Sequence, residues 1–112
     1  VEREIRRGRK YDGIIMDPPV FGRGPKGELW RFAQSFPALL DECTRILSDQ
    51  PLFLLVTGYA IEDSSLTLYN LVDEAMRGKG GHTTAGELVL PDSAGRALSL
   101  AIYARWTGEE GK

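Results

Sequence analysis

The chain has 112 residues, 14 Lys and Arg against 16 Asp and Glu, and a formal net charge of −2, so its length allows one domain. A single Cys excludes an internal disulfide framework and a cysteine-based zinc site. No apolar run reaches the roughly 18–20 residues of a membrane span, and the chain opens with Val1 rather than with a signal peptide. We therefore expect a soluble, cytoplasmic piece of a protein that has no membrane partner.

The charge is unevenly distributed along the chain. Residues 1–10 carry a net charge of +3 and residues 23–31 carry +2, whereas residues 41–75 carry −6. A protein that wrapped nucleic acid all round would be basic throughout, and this chain is not. The charge pattern favours ordinary solvated faces. A local basic rim beside one site is the alternative, because phosphate contacts need only a few cations.

The first predicted elements are a short helix and a strand. Residues 1–8 read as the end of a helix that Gly8 stops. Residues 11–16 are predicted to form a short buried strand, and the run Asp17-Pro18-Pro19 must end it because consecutive prolines cannot donate ladder hydrogen bonds. Residues 20–27 contain three glycines and one proline, which predicts a loop.

A helical period begins at Leu29. Apolar residues recur there at three- and four-residue steps as far as residue 47, which predicts a helix that Pro37 splits, with a cap at Ser35 or Phe36. After a turn, residues 52–57 are apolar without alternation. That pattern is typical of a strand that is covered on both faces.

The second half predicts one more helix and two strands. Ser64 or Ser65 is the expected cap of a helix whose inner face carries Leu68, Leu71, Val72, Ala75 and Met76. Residues 83–90 and 98–106 are predicted to be strands, the second because its side chains alternate, and a short turn joins them, so they should form an antiparallel hairpin. The two earlier strands, linked by a helical crossover, should be parallel. The prediction is an α/β fold whose parallel strands end in an antiparallel hairpin.

The chemistry is expected at the run Asp17-Pro18-Pro19. Ligands of open α/β sheets bind beyond the carboxyl ends of the strands, and Asp17 is the first polar residue after its strand. A carboxylate there can accept a hydrogen bond from an amine or a hydroxyl group. The prolines hold the following loop rigidly, and Phe21 offers a ring on which a planar base can stack. A plain end of the strand is the alternative interpretation.

Residues 11–22, which read YDGIIMDPPVFG, resemble class I S-adenosylmethionine-dependent methyltransferases, and most closely the group of bacterial 23S ribosomal RNA methyltransferases. The resemblance covers nearly the whole chain. It implies that residues 1–107 are the C-terminal part of one Rossmann-like methyltransferase domain, followed by a polar tail at residues 108–112. The implied cofactor is S-adenosyl-L-methionine, and the implied partner of the complete protein is RNA.

The resemblance also implies roles for individual residues. Asp17 and Pro18 would hold the target amine and border the cofactor, Pro19 would complete the cradle, and Phe21 would stack on the base, although Val20 stands between it and the prolines. The family's glycine-rich loop and ribose-binding acid are absent from the sequence, so the isolated chain is expected to be inactive. Cytosine-C5 methylating relatives use a cysteine after the fifth strand, where this chain has Thr57-Gly58-Tyr59.

Other candidate residues surround this run. Arg23 and Lys26 are candidates for contacts with substrate phosphates, and Tyr59, at the end of the next strand, is a candidate for lining the same pocket. Cys43 lies on the apolar helix face and is expected to be a core thiol, while His82 lies among glycines and is expected in a loop. No metal site is predicted.

The function that follows is methyl transfer to ribosomal RNA by the complete protein, with this chain as its substrate-facing half. Two alternatives stay open: a methyltransferase of a protein or small molecule, and an inactive module. The second would associate with itself through an exposed sheet edge, which we expect at the strand of residues 11–16.

Overall fold

The computed structural model describes residues 1–18, 21–23, 29–59 and 64–109, which form a mixed α/β fold. Three helices and six strands occur there, in the order α1 (Glu2–Arg7), β1 (Gly13–Met16), β2 (Phe21–Arg23), β3 (Leu29–Arg31), α2 (Phe32–Arg45), β4 (Phe53–Gly58), α3 (Ser65–Ala75), β5 (His82–Pro91) and β6 (Ala97–Thr107). No helix in these ranges combines the length and the apolar character that crossing a membrane requires.

Four of the strands form the main sheet, in the order β1-β4-β6-β5. Strand β1 runs parallel to β4, and β6 runs antiparallel to both β4 and β5. This topology confirms the predicted parallel pair and the predicted closing hairpin. The parallel pair needs a crossover because its ends lie at opposite edges of the sheet, and α2 is part of that connection.

The core lies on one face of the sheet. Aligned positions of β1, β4 and β6 send fully or almost fully buried side chains to this face, where buried residues of α2 and α3 cover them. The buried cluster consists of Met16, Phe36, Leu40, Cys43, Leu47, Leu54, Val56, Leu68, Val72, Met76, Ala104 and Trp106. The predicted inner face of the second helix and the predicted core position of Cys43 are confirmed.

The opposite face of the sheet is less covered. Burial along β4 alternates, because Leu54 and Val56 are fully buried whereas Leu55 is only half-buried. The neighbour of Leu55 on β1, Ile15, is 67% exposed. The prediction that this strand is covered on both faces was therefore wrong for the described chain, since its helices pack on one side only.

Two local predictions about the start and the middle of helix α2 were also wrong. Residues 21–23 are not loop but pair as β2 with β3, so the helix begins at Phe32 rather than at Leu29. Pro37 lies inside the continuous helix α2 and does not split it. Its ring removes one backbone donor, but Phe36 and Leu40 on either side are buried and hold the helix against the sheet.

The two strands of the closing hairpin are much longer than the neighbouring strand β4. The last residue of β4, Gly58, pairs with Ile102, so residues 97–101 of β6 extend about 16 Å beyond the end of β4 at the usual rise of a strand. Their partners in β5 end at Pro91, and His82 opens that strand rather than lying in a loop. The overhang projects from the edge of the sheet at which β1 and β4 have their carboxyl ends.

Candidate functional site

Asp17 lies where the sequence places it, directly after the carboxyl end of β1. The register pairs Met16 with Val56, so the next residue of each strand, Asp17 and Thr57, stand side by side at the same edge of the sheet. Asp17 is exposed, whereas Pro18 behind it is buried. The proline ring fixes φ of Pro18, so the backbone directly after the exposed Asp17 has little freedom.

Thr57 holds the carboxylate of Asp17 by a hydrogen bond. The Thr57 hydroxyl donates to Oδ1 of Asp17 over 2.8 Å, and it lies 3.5 Å from the carbonyl oxygen of Met16. In the described part of the chain, no other hydrogen bond to this carboxylate is seen. The site therefore presents an exposed carboxylate, one oxygen of which is held by Thr57.

The sequence did not single out Thr57 for this role. The signal was available only through the register, because a threonine directly after an apolar strand becomes the neighbour of Asp17 once the two strands pair in parallel.

The other predicted site residues are described to different extents. Tyr59 follows β4 at the same edge and is 72% exposed, so its ring is accessible from solvent. Phe21 and Arg23 belong to β2 through their backbones. Pro19 and Lys26 lie outside the described residues, and their predicted roles stay predictions, as do the stacking of Phe21 and the phosphate contacts of Arg23.

Neither a cysteine thiol nor a metal cluster accompanies Asp17 in the described part of the chain. Cys43 is 4% exposed in the core, and its burial raises the pKa of its thiol, which therefore stays protonated at neutral pH. Within the described ranges, no group of three or more His, Cys, Asp or Glu side chains could hold a metal ion. What the edge offers is hydrogen bonding and positioning.

A cavity of about 500 Å³ lies at the other end of the sheet. It is formed by the loops before β4 and β5 and by the residues that follow β6, and it is lined by Asp49, Gln50, Pro51, Leu52, Gly78, Lys79, Gly80, Trp106, Thr107, Gly108 and Glu109. Neither Asp17 nor Thr57 borders it. We place the candidate site at Asp17 because ligands of open α/β sheets bind at the carboxyl ends of the strands, which this cavity does not adjoin.

Among solved structures, the chain is similar to the SAM-dependent methyltransferase from Agrobacterium tumefaciens, with 42% sequence identity and a TM-score of 0.91. That similarity covers 96% of this chain and 36% of the Agrobacterium protein. The chain has part of a methyltransferase fold. The sheet order, the parallel strand that precedes Asp17 and the closing hairpin all belong to this shared part, since the similarity covers nearly all of the chain.

Two more distant structures share the methyltransferase fold. One is a SAM-dependent methyltransferase from Streptococcus mutans, 16% identical with a TM-score of 0.61, and the other is a methyltransferase in complex with SAH, 18% identical with a TM-score of 0.57. Each similarity covers 95% of this chain and 28% of the other protein. The chain thus spans about a third of the length of the methyltransferases that it matches.

Searches with the sequence itself gave no match. No family model matches the chain, and no curated protein matches it.

Proposed function

We propose that this chain is the acceptor-facing part of an S-adenosylmethionine-dependent methyltransferase, and that the complete protein methylates ribosomal RNA. The observation that supports the proposal best is the carboxylate of Asp17, held by Thr57 at the carboxyl end of a parallel strand in a methyltransferase fold. The length of the Agrobacterium methyltransferase, of which the chain spans 36%, supports a longer polypeptide.

The chemistry that we propose for the chain is the positioning of an acceptor amine. S-adenosylmethionine supplies an electrophilic methyl group on a sulfonium. Oδ2 of Asp17 would accept a hydrogen bond from the amine and so turn its lone pair away from the carboxylate. The Thr57 hydroxyl keeps Oδ1 from rotating into that place. Positioning of this kind supplies a large share of the acceleration in transfers between two bound groups.

The reaction needs no nucleophile from this chain. The acceptor amine would supply the lone pair for the new bond between nitrogen and the methyl group, the bond between that methyl group and the sulfonium would break to leave S-adenosylhomocysteine, and the amine proton would pass to solvent. Covalent chemistry through Cys43 is not part of the proposal, because that thiol is buried in the core and its pKa is raised.

The chain's own residues fit the acceptor side better than the cofactor side. In the described ranges, no glycine-rich turn leads from a strand into a helix, which is the arrangement that lets a backbone approach a nucleotide closely. We propose that Asp17 and Pro18 contribute one border of the cofactor site and that the remaining contacts come from the rest of the longer polypeptide.

The choice of RNA as substrate rests on the sequence around the site. Arg23 and Lys26 follow the Asp17 run within ten residues, and a base could stack on Phe21. A protein or small-molecule acceptor is the competing choice, since Asp17 would orient any amine.

The test is a methyl-transfer assay with the complete gene product. The protein is incubated with S-adenosylmethionine that carries a tritiated methyl group, and with ribosomal RNA, with total cell protein, or with neither. We expect the label in the RNA fraction. Label in protein or in small molecules would contradict the RNA assignment, and the absence of transfer to every acceptor would contradict the methyltransferase assignment in favour of an inactive module.

A further inference from the structure

The outer edge of the sheet has an unusual distribution of apolar residues. Strand β5 is the last strand of the sheet, and no strand pairs with its outer side in the described part of the chain. Three consecutive residues near its end, Leu88, Val89 and Leu90, are exposed by 42%, 50% and 54%. Because successive side chains of a strand point to opposite faces, both faces of this edge are apolar.

Strand β6 adds to the same apolar surface. Leu98 is 52% exposed and pairs directly with Leu90, and Leu100 is 50% exposed. We call the five residues Leu88, Val89, Leu90, Leu98 and Leu100 the hairpin patch. The patch lies on the part of the hairpin that projects beyond β4, and the described helices do not cover it. An exposed apolar patch that sits on a sheet edge marks a surface for association.

Strand β5 is regular along its outer edge and ends in an ordered turn. The register changes between Leu88 and Val89, whose partners on β6 are two residues apart, so the extra residue belongs to β6 and β5 itself is uninterrupted. At the tip, Asp92 accepts hydrogen bonds from the backbone of Ala94 and Arg96 over 2.9 and 2.8 Å. The edge is thus a regular strand with a closed tip, and it presents its backbone groups in one line.

The charges of the hairpin do not suit a nucleic acid. Between residues 87 and 101 the sequence contains Glu87, Asp92 and Arg96, a net charge of −1. The Arg96 guanidinium is bound to Asp92 over 2.9 Å. A phosphate backbone requires several cations, so the partner of this surface should be apolar protein.

We propose that the hairpin patch is a homodimer interface, in which the β5 strands of two copies pair antiparallel about a two-fold axis. A strand that pairs with itself in this way is self-complementary, as a two-fold interface requires. With the axis at Val89, Leu88 of each copy lies opposite Leu90 of the other. Glu87 then lies opposite Pro91, so the two carboxylates do not meet.

The edge at β1 is a poorer template than β5. Strand β1 has four residues against ten in β5, and it is followed at once by Asp17 and the buried Pro18. A longer edge offers more backbone hydrogen bonds to a second copy. From the sequence, we expected self-association at the edge formed by β1. Pairing at β1 and pairing at β5 would be weakened by different substitutions, so variants can distinguish them.

The test is sedimentation equilibrium of the 112-residue chain over a wide range of concentrations, with charged variants of each edge. We expect a monomer–dimer equilibrium that Val89→Lys weakens at least tenfold, because it places two ammonium groups at the axis. Ile15→Lys on β1 is the matched control, since its side chain is also exposed, and we expect it to leave the dimer unchanged. Circular dichroism checks that both variants are folded.

A second measurement keeps the proposal testable if a variant is unfolded. Amide hydrogen exchange of the unaltered chain should slow at Leu88–Leu90 as the concentration rises, while exchange at Gly13–Met16 stays constant. A chain that is monomeric at every concentration would overturn the proposal. So would a dimer that dissociates on Ile15→Lys but not on Val89→Lys. Neither outcome depends on methyltransferase activity.

Discussion

Two acids flank strand β1, and the structure gives them different surroundings. Asp12 lies before the strand, where its Oδ1 accepts a hydrogen bond from the Ser48 hydroxyl over 2.7 Å and its backbone carbonyl accepts from the amide of Leu52. Asp17 lies after the strand, where it is exposed and its Oδ1 accepts a hydrogen bond from Thr57. Asp12 therefore joins the turn before β4 to the strand, whereas we propose that Asp17 contacts a ligand.

The hydroxyl of Thr57 is expected to act as a positioning group for Asp17. Thr57→Val keeps the shape of the side chain but removes the donor, and a hydrogen bond to a charged group contributes roughly 1.5–3 kcal/mol when it is protected from water. Because Asp17 is exposed, we expect the lower end, about a tenfold loss of kcat in methyl transfer by the complete protein with little change in KM.

Thr57→Ser is the matched control, because serine retains the hydroxyl at the same place. The serine variant should recover most of the activity. Steady-state kinetics of the three proteins decide the point, and a valine variant as active as the unaltered protein would remove Thr57 from the mechanism.

At the scale of elements, the turn of the closing hairpin is held by hydrogen bonds and an ion pair to the carboxylate of Asp92. The backbone amide of Arg96 donates to Oδ1 of Asp92, that of Ala94 donates to the same oxygen, and the Arg96 guanidinium binds Oδ2. The hydrogen bond from the Arg96 backbone is the largest influence that lowers the pKa of Asp92, with further contributions from Ala94 and the Arg96 side chain. The turn thus favours the ionised carboxylate.

Acidification should loosen this tip. Since the pKa of Asp92 is lower in the folded chain than in the unfolded one, the stabilisation is present above the unfolded pKa and is lost as the pH falls through the folded pKa. We expect the amide proton shifts of Ala94 and Arg96 in NMR spectra to move together on acidification, and to be displaced already at neutral pH in Asp92→Asn.

Asp73→Asn is the control for that measurement. Asp73 is an exposed acid of α3 that accepts a hydrogen bond from Thr83 over 3.0 Å, away from the tip. Its amide variant should leave the shifts of Ala94 and Arg96 in place. If the amide shifts of Ala94 and Arg96 do not follow the titration of Asp92, the claim that its carboxylate holds the turn is wrong.

The elements differ in how well the sequence predicted them, for physical reasons. Strands β5 and β6 have ten and eleven residues, β6 alternates over much of its length, and a short turn joins the two, so their pairing was predictable. Strands β2 and β3 have three residues each, which is too short for any period to appear. Pro37 misled the prediction because a local rule for prolines does not include the burial of Phe36 and Leu40.

The candidate site was predicted in part. Asp17 and Pro18 follow a strand, so their place at the sheet edge could be read from the chain. The bond between Thr57 and Asp17 could not, because it joins residues 40 positions apart and depends on the register of two strands. Likewise, the hairpin patch was not predicted, since apolar residues in a strand do not tell which of its faces is covered.

At the scale of the whole molecule, the sheet is covered by helices on one face only in the described chain. Leu54 and Val56 are buried on that face, whereas Ile15 is 67% exposed on the other. Parallel sheets are usually covered on both faces, so this exposed face suits contact with further protein. It agrees with the small share, 36%, that the chain spans of the Agrobacterium methyltransferase.

The part of the methyltransferase fold that this chain contains leads to a prediction about cofactor binding. The isolated chain of 112 residues should bind S-adenosylmethionine weakly or not at all, because no glycine-rich turn between a strand and a helix occurs in the described ranges. Isothermal titration calorimetry measures this directly, with the complete gene product as the positive control. Micromolar affinity of the isolated chain would contradict our assignment of the cofactor contacts.

The central claim is that a methyl acceptor docks against the carboxylate of Asp17. The most direct test compares the rate of methyl transfer by the complete protein with Asp17→Ala and Asp12→Ala, which remove a carboxylate at opposite ends of β1. We predict that Asp17→Ala lowers kcat at least a hundredfold with the fold intact, while Asp12→Ala leaves kcat within about twofold. Near-normal turnover of Asp17→Ala, or equal losses in both variants, would contradict the claim.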